Sequence, residues 1–255
     1  MTQAPGSRTV AIIPARFASE RLPGKPLLDI AGKPMIQHVC ERTGRAGLID
    51  AVLVATDDER IMSAVHSFGG RAVMTPAGLR SGTDRIAFVA RTMPDADIIV
   101  NVQGDEPLIE PAMVNAAVRP FKEDGTLYAG TLVRRIADAE DLQNPNIPKV
   151  VLDREGYCLY FSRSPIPYGR DLPPEEWLRR HTNYKHVGLY VFRREFLLRY
   201  AEMSATPLES MEKLEQLRIL EHGHRIRATI TEHDSVPVDT ESDLFKVRTL
   251  MQKPQ

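Results

Sequence analysis

The chain predicts an α/β fold, with a mostly parallel sheet and helices on both faces. Two observations carry this. Short apolar runs alternate with stretches of helical spacing in β-α-β-α-β order, the order that builds parallel sheets. The runs are also apolar almost throughout, which suits strands covered on both faces. The first strand spans 10–14, and others follow at 51–55, 71–74 and 97–102. Helices fall between them at 35–46, 58–68 and 81–93. Asp57 or Asp58 is placed to cap the second helix and Ser81 the third. Short polar side chains accept the unpaired amide hydrogens of a first turn.

The second half is less regular. Strands are expected at 127–136, 149–152, 157–162 and 185–192, with Asp153-Arg-Glu-Gly156 as a hairpin turn. Residues 164–184 are rich in Pro and charge and read as a loop with one short helix. A single strong helix is expected over 208–222, a strand over 225–231 and a last helix over 239–251. In His222-Gly-His224 a left-handed Gly223 makes a helix C-cap, a better reading than a pair of metal ligands. Residues 1–8 form a polar tail, and 9–255 read as one domain without a linker.

Composition narrows the function. At 255 residues the chain suits one large α/β domain. A formal charge of −1 argues against a nucleic-acid surface. Two cysteines, Cys40 and Cys158, are too few for a disulfide framework or a zinc cage, and they fit a cytoplasmic protein. Neither a signal peptide nor an apolar run of membrane length is present, so no membrane partner is expected.

Three motifs carry chemistry. The first strand runs into a loop with Arg16, Arg21 and Lys25. Ligands of open α/β sheets bind outside the carboxyl ends of strands, and clustered cations there suit a polyphosphate. The loop is not a Walker A loop, because Gly24-Lys25 is followed by Pro26. No Gly-x-Gly-x-x-Gly occurs, so a dinucleotide site has no support. The plain alternative is a solvated surface loop. Asn101-Val-Gln103-Gly104-Asp105-Glu-Pro107 follows another buried strand and so lies on the same sheet edge. Asp105 suits Mg²⁺, which takes one or two carboxylates with phosphate oxygens and water. The plain alternative is a strand-to-helix turn. Asp239 either caps the last helix or supplies the second carboxylate. His186, inside a strand-like run, reads by itself as a core or rim histidine.

Taken together these residues resemble the 3-deoxy-manno-octulosonate (KDO) cytidylyltransferases, or CMP-KDO synthetases. The resemblance runs from about Val10 to Met251. It rests on Ile12-Ile-Pro-Ala-Arg16, Arg21-Leu-Pro-Gly-Lys25-Pro-Leu, Ser81-Gly-Thr-Asp-Arg85, Asn101-Val-Gln-Gly-Asp-Glu-Pro107, Leu159-Tyr-Phe-Ser-Arg163, Leu214-Glu-Gln-Leu-Arg218 and Val238-Asp-Thr240. Shorter matches lie between them. The resemblance implies a three-layer Rossmann-like nucleotidyltransferase fold with a small dimerisation subdomain around 130–200. It implies attack of the sugar acid's anomeric hydroxyl on the α-phosphorus of CTP, giving CMP-KDO and pyrophosphate for lipopolysaccharide biosynthesis.

By the same resemblance Arg16, Arg21 and Lys25 hold the triphosphate, with Arg16, Lys25 and Asp105 the catalytic set. Asp105 and Asp239 bind Mg²⁺. Ala15, Ser81, Gly82 and Thr83 lie near the cytidine. Gln103, Arg163, His186, Tyr190, Glu215 and Gln216 meet the sugar acid, with Arg163 on its carboxylate and Glu215-Gln216 presented by a helix. A homodimer is implied, with the divergent, Pro-rich 169–183 segment at subunit contacts. One departure is Glu20, an acidic residue beside the phosphate loop. Two rival readings stay open: a cytidylyltransferase for 8-amino-KDO or sialic acid, and an inactive homologue that binds nucleotide and regulates a partner.

Overall fold

The computed structural model describes residues 7–18 and 22–252. In chain order the elements begin with β1 (Arg8–Ala15), a 3-10 turn (Lys25–Leu27), β2 (Asp29–Ile30), β3 (Lys33–Pro34), α1 (Met35–Gly44), β4 (Ala51–Thr56), α2 (Glu59–Ser67) and β5 (Ala72–Met74). Next come α3 (Gly82–Arg91), β6 (Ala96–Asn101), α4 (Pro111–Glu123), β7 (Ala129–Arg135), α5 (Ala139–Gln143), β8 (Lys149–Leu152) and β9 (Cys158–Ser162). The chain ends with α6 (Pro174–Arg180), β10 (Tyr184–Arg193), α7 (Arg194–Tyr200), α8 (Pro207–Glu212), α9 (Leu217–Glu221), β11 (Arg227–Ile230) and α10 (Glu241–Gln252).

The main sheet runs β11-β7-β10-β6-β1-β4-β5. β5, β4, β1 and β6 are mutually parallel, and β7 and β11 point the same way. Only β10 runs against its neighbours β6 and β7 on this path. The sheet is therefore mostly parallel, as the alternation of apolar runs and helices predicts.

Both faces are covered, and β1 shows why its sequence is apolar from Val10 onward. Val10 and Ile12 join one core with Ile86 and Val89 of α3, Phe196 of α7 and Leu217 of α9. Ala11, Ile13 and Ala15 join the opposite core with Ile36 of α1, Ile61 of α2 and Met113 of α4. Val10, Ala11, Ile12 and Ile13 are wholly buried. Successive strand side chains point to opposite faces, so a strand with two covers favours apolar residues at every position, and the buried Thr9 near its start is the exception.

The caps hold as read: the Asp58 carboxylate accepts from Arg60 N at 2.9 Å and Ser81 Oγ from Asp84 N at 3.1 Å. Gly156 closes the β8–β9 hairpin at φ 80, and Gly223 ends α9 at φ 78. Helices α4, α5 and α7 were not anticipated. In α4 the apolar positions Met113, Val114, Ala117, Val118 and Phe121 keep helical spacing, but Pro120 lies inside the helix and obscures the pattern.

One expected element is corrected. Residues 208–222 are not a single helix: α8 ends at Glu212, Lys213 is left-handed at φ 55, and α9 begins at Leu217. Side chains across the break explain it. Arg218 of α9 forks onto Glu209 of α8, and Glu221 accepts from the amides of Leu208 and Glu209 at 3.0 and 3.3 Å. These bonds draw the two short helices side by side, an arrangement a continuous helix forbids.

Within 130–200, β7 and β10 belong to the main sheet. The β8–β9 hairpin stands off its path, and Ile136, Leu142 and Trp177 form a small apolar cluster beside it. No helix among the described residues is long and apolar enough to cross a membrane.

Candidate active site

The sheet order reverses at β1, whose neighbours are β4 on one side and β6 on the other. Chain connections diverge there and leave a crevice beyond the strands' carboxyl ends. The loop after β1 and the loop after β6 face each other across it. Glycine permits the approach: a Cβ on Gly104 would lie 2.8 Å from Pro14 O, and one on Gly82 would lie 3.3 Å from Pro14 Cγ.

The cationic loop is closed at its base by Gly24 N donating to Phe17 O at 3.0 Å. Gly24 takes φ 68, and its α-carbon lies against the Phe17 ring. Over that ring sits the Arg60 guanidinium, itself held by Asp58. The 3-10 turn then presents Lys25, whose Nζ donates to Asp105 Oδ2 at 2.7 Å and Asp239 Oδ1 at 3.1 Å. Burial pulls this ammonium's pKa down, but the two carboxylates outweigh burial and hold it above its ordinary value. Arg16 reaches Leu79 O at 2.7 Å. Ala15, Arg16, Lys25, Gln103, Gly104 and Asp105 line a cavity of about 220 Å³. Arg21 and Glu20 lie outside the described residues, as does most of the 1–8 tail.

The sequence left Asp239 two roles, and the geometry separates them. Thr240 caps α10: its Oγ1 accepts from Asp243 N at 3.2 Å, while Thr240 N donates to Asp243 Oδ2 at 2.9 Å. Asp239 thus faces Lys25. Val238 N donates to Asp105 O at 2.9 Å and fastens the two carboxylate loops together. The neighbouring Glu106, hydrogen-bonded to Ser235, is pushed up to about 7 by burial and by the Asp105 charge.

A second cavity, of about 270 Å³, adjoins the first, and Gln103 lines both. It brings together Gly82, Thr83, His186, Tyr190, Glu215 and Gln216. The break between α8 and α9 is what delivers Glu215 and Gln216 to it, from a turn and not from a helix. Gln216 is 4% exposed, and its Nε2 has no hydrogen-bond partner among the described residues. A buried donor without a partner is costly, so this one points to an oxygen-bearing ligand.

Burial pushes the His186 pKa down to about 4, so the ring is neutral. Thr131 Oγ1 gives its single proton to the Leu189 carbonyl at 2.8 Å and the Val187 carbonyl at 3.3 Å. It must therefore accept from His186 Nε2, 3.0 Å away. That leaves Nδ1 as an acceptor. Burial likewise raises Tyr190 and Glu215 above their ordinary values.

A family model described as cytidylyltransferase matches residues 10–226. The chain belongs to the cytidylyltransferase family. It is 57% identical over 251 residues to a 3-deoxy-manno-octulosonate cytidylyltransferase of Geotalea uraniireducens (strain Rf4), covering 96% of this chain and 100% of the relative. It is 58% identical over 245 residues to the protein of that name from Geobacter metallireducens (strain ATCC 53774 / DSM 7210 / GS-15), covering 94% and 96%. A solved structure of a CMP:2-keto-3-deoxy-manno-octonic acid synthetase complexed with CTP superposes with a TM-score of 0.90 at 45% identity, covering 96% of this chain and 98% of the other.

In this cytidylyltransferase three of the expected site residues, Ser81, Arg163 and Asp239, line neither cavity, Asp239 meeting the cationic one through Lys25. Ser81 spends its hydroxyl on capping α3. Arg163 donates to the carbonyls of Glu212 at 2.7 Å, Pro145 at 2.9 Å and Lys213 at 3.4 Å, so its guanidinium secures the turn carrying Glu215 and Gln216. Residues not foreseen include Asn101, Lys213 and Tyr200, which line the larger cavity, and Thr131, which orients His186. Asn101 opens the Asn101–Pro107 motif and was within reach of the sequence. Tyr200 and Thr131 enter only through the packing of α7 and β7.

Proposed function

We propose that the chain transfers a cytidylyl group from CTP to 3-deoxy-manno-octulosonate, releasing pyrophosphate. One observation carries this: a cation- and carboxylate-lined cavity and a polar, aromatic cavity share Gln103 as a common wall. Two substrates placed on either side of that wall meet where a phosphorus and an attacking hydroxyl must meet. The relatives' names and their near-complete coverage support the choice of substrates.

The chain's groups divide the work. Arg16 and Lys25 neutralise the triphosphate, and Arg21 is assigned there with them. Charge on the leaving pyrophosphate is stabilised by cations already in place, so no covalent nucleophile is needed. Neutral His186 and Glu215 accept hydrogen bonds from sugar hydroxyls, and Gln216 donates to a sugar oxygen. Arg163 positions that turn from behind.

Mg²⁺ belongs to the proposal, with Asp105 and Asp239 as the groups that would hold it. Their oxygens converge on one cation, the Lys25 ammonium. Two carboxylates are the hard-oxygen set Mg²⁺ accepts alongside phosphate and water. In this reading phosphate oxygens of the nucleotide would complete the coordination. Bound there, the ion supplies charge neutralisation at the phosphates.

A homodimer in the cytoplasm completes the reading. Exposed Leu159 and Tyr168 support a subunit contact near the β8–β9 hairpin, and the unpaired thiols Cys40 and Cys158 support a reducing compartment. The test is pyrophosphate release with each nucleoside triphosphate against KDO, 8-amino-KDO and N-acetylneuraminate. Release with CTP and KDO is expected. Preference for another acid would move the substrate assignment, and no release with any CTP pairing would favour a regulatory homologue.

A further inference from the structure

Thr83 sits in the first turn of α3, next to Ser81 and Gly82, where the family resemblance puts it beside the cytidine. Its hydroxyl goes elsewhere. Thr83 Oγ1 donates to Glu215 Oε2 at 2.8 Å, across 132 residues of sequence. Thr83 is 7% exposed and lines the larger cavity, not the cationic one. Glu215 is otherwise held by its backbone alone: its carbonyl accepts from Tyr200 OH at 2.8 Å and from Arg218 N at 3.1 Å. Thr83 is therefore the hydrogen bond that fixes the direction of this carboxylate. Oε1 has no hydrogen-bond partner among the described residues and remains for a ligand hydroxyl.

We propose that Thr83 is a positioning residue of the sugar-acid cavity, which aims the Glu215 carboxylate at a hydroxyl of the bound acid. The proposal rests on the reading of the larger cavity as the sugar-acid site. The chemistry favours it. A carboxylate with one oxygen tied to a hydroxyl donor loses its rotational freedom and keeps the other oxygen as a directed acceptor. Burial raises the Glu215 pKa, and the Thr83 hydrogen bond counters that by favouring the ionised, accepting form. The other groups facing Glu215 are Arg218 and Glu209, paired with each other, Asp84 of α3, Tyr190 of β10 and Tyr200 of α7. Lys213 and His186 share its cavity.

Steady-state kinetics of Thr83→Val, Thr83→Ser and Glu215→Gln test this, with each substrate varied in turn. Losing a hydrogen bond to a charged group is expected to raise KM for the sugar acid about 10-fold in Thr83→Val, while KM for CTP stays within about 2-fold. Thr83→Ser restores the wild-type value. The acid limb of kcat/KM for the sugar acid moves to higher pH in Thr83→Val, because the ionised carboxylate loses its donor. In the Glu215→Gln background Thr83→Val has no such effect on that limb. If Glu215→Gln raises KM for the sugar acid and Thr83→Val leaves it unchanged, the Thr83 assignment falls alone. If Glu215→Gln changes nothing, the cavity reading falls and takes Thr83 with it.

Discussion

Lys25 has two relations that pull on the same atom. Its Nζ bridges Asp105 and Asp239, and it closes one wall of the cavity that a triphosphate would fill. Its position is set by neighbours that themselves touch no substrate: Gly24 supplies the left-handed turn, and Phe17, stacked against Arg60, supplies the surface on which the turn rests. Replacing Lys25 with Ala leaves two carboxylates facing each other and removes a preplaced cation from the leaving group. We expect kcat/KM for CTP to fall about 10²-fold or more, the usual loss when one charge-stabilising group is deleted. Pyrophosphate release under saturating Mg²⁺ is the measurement, and a loss under 3-fold would take Lys25 out of the reaction. The loop was legible in the sequence because its three cations fall within ten residues and follow a buried strand. Arg163 shows the limit of such reading, since a motif names a residue without revealing that three carbonyls already hold its guanidinium.

At the scale of elements, the start of α10 separates capping from function. Sequence alone left Asp239 as cap or ligand, because Asp239, Thr240 and Ser242 are all residue types that cap. The reciprocal bonds of Thr240 and Asp243 decide it. Thr240→Ala is expected to cost about 1 kcal/mol of stability, the typical worth of a cap, and to keep turnover. Asp239→Ala is expected to keep its unfolding midpoint within a degree or two while losing most activity and raising the Mg²⁺ needed for what remains. Thermal unfolding and Mg²⁺-dependent turnover, measured on both variants, must split in this way. An Asp239 variant that unfolds early but turns over normally would return that residue to capping. The strands were legible for a simpler reason: burial on both faces favours apolar residues along nearly the whole of each, with Thr9, Thr56, Asn101 and Thr131 as buried exceptions. The break between α8 and α9 was not, since the apolar spacing of 208–222 runs on unbroken. The Glu209–Arg218 pair and the Glu221 bonds to the first turn of α8, formed in three dimensions, accompany the break.

For the whole molecule, the enclosure of the larger cavity couples its chemistry to stability. His186 titrates near 6.5 when solvated but is pushed down to about 4 by burial in the fold. Between these values the unfolded chain holds a proton that the native one refuses. Stability from this group is therefore full above about pH 6.5 and lost as pH falls toward 4. The limiting slope is about 1.4 kcal/mol per pH unit for one such proton. Glu215 works in the opposite sense. Its raised pKa means the native state takes up a proton before the unfolded state does, so acidification adds back stability. A wild-type curve alone would blur the two. The difference between wild type and His186→Gln isolates the histidine, because the glutamine Nε2 can still donate to Thr131 Oγ1 in place of the ring Nε2 while carrying no titrating proton. Denaturant unfolding from pH 7 to pH 4 is the measurement. The wild type is expected to lose stability relative to the variant steadily through that window, by about 3 kcal/mol in all. Parallel curves would mean that the fold leaves the His186 pKa at its ordinary value, which would overturn burial of a neutral ring as the basis of its acceptor role.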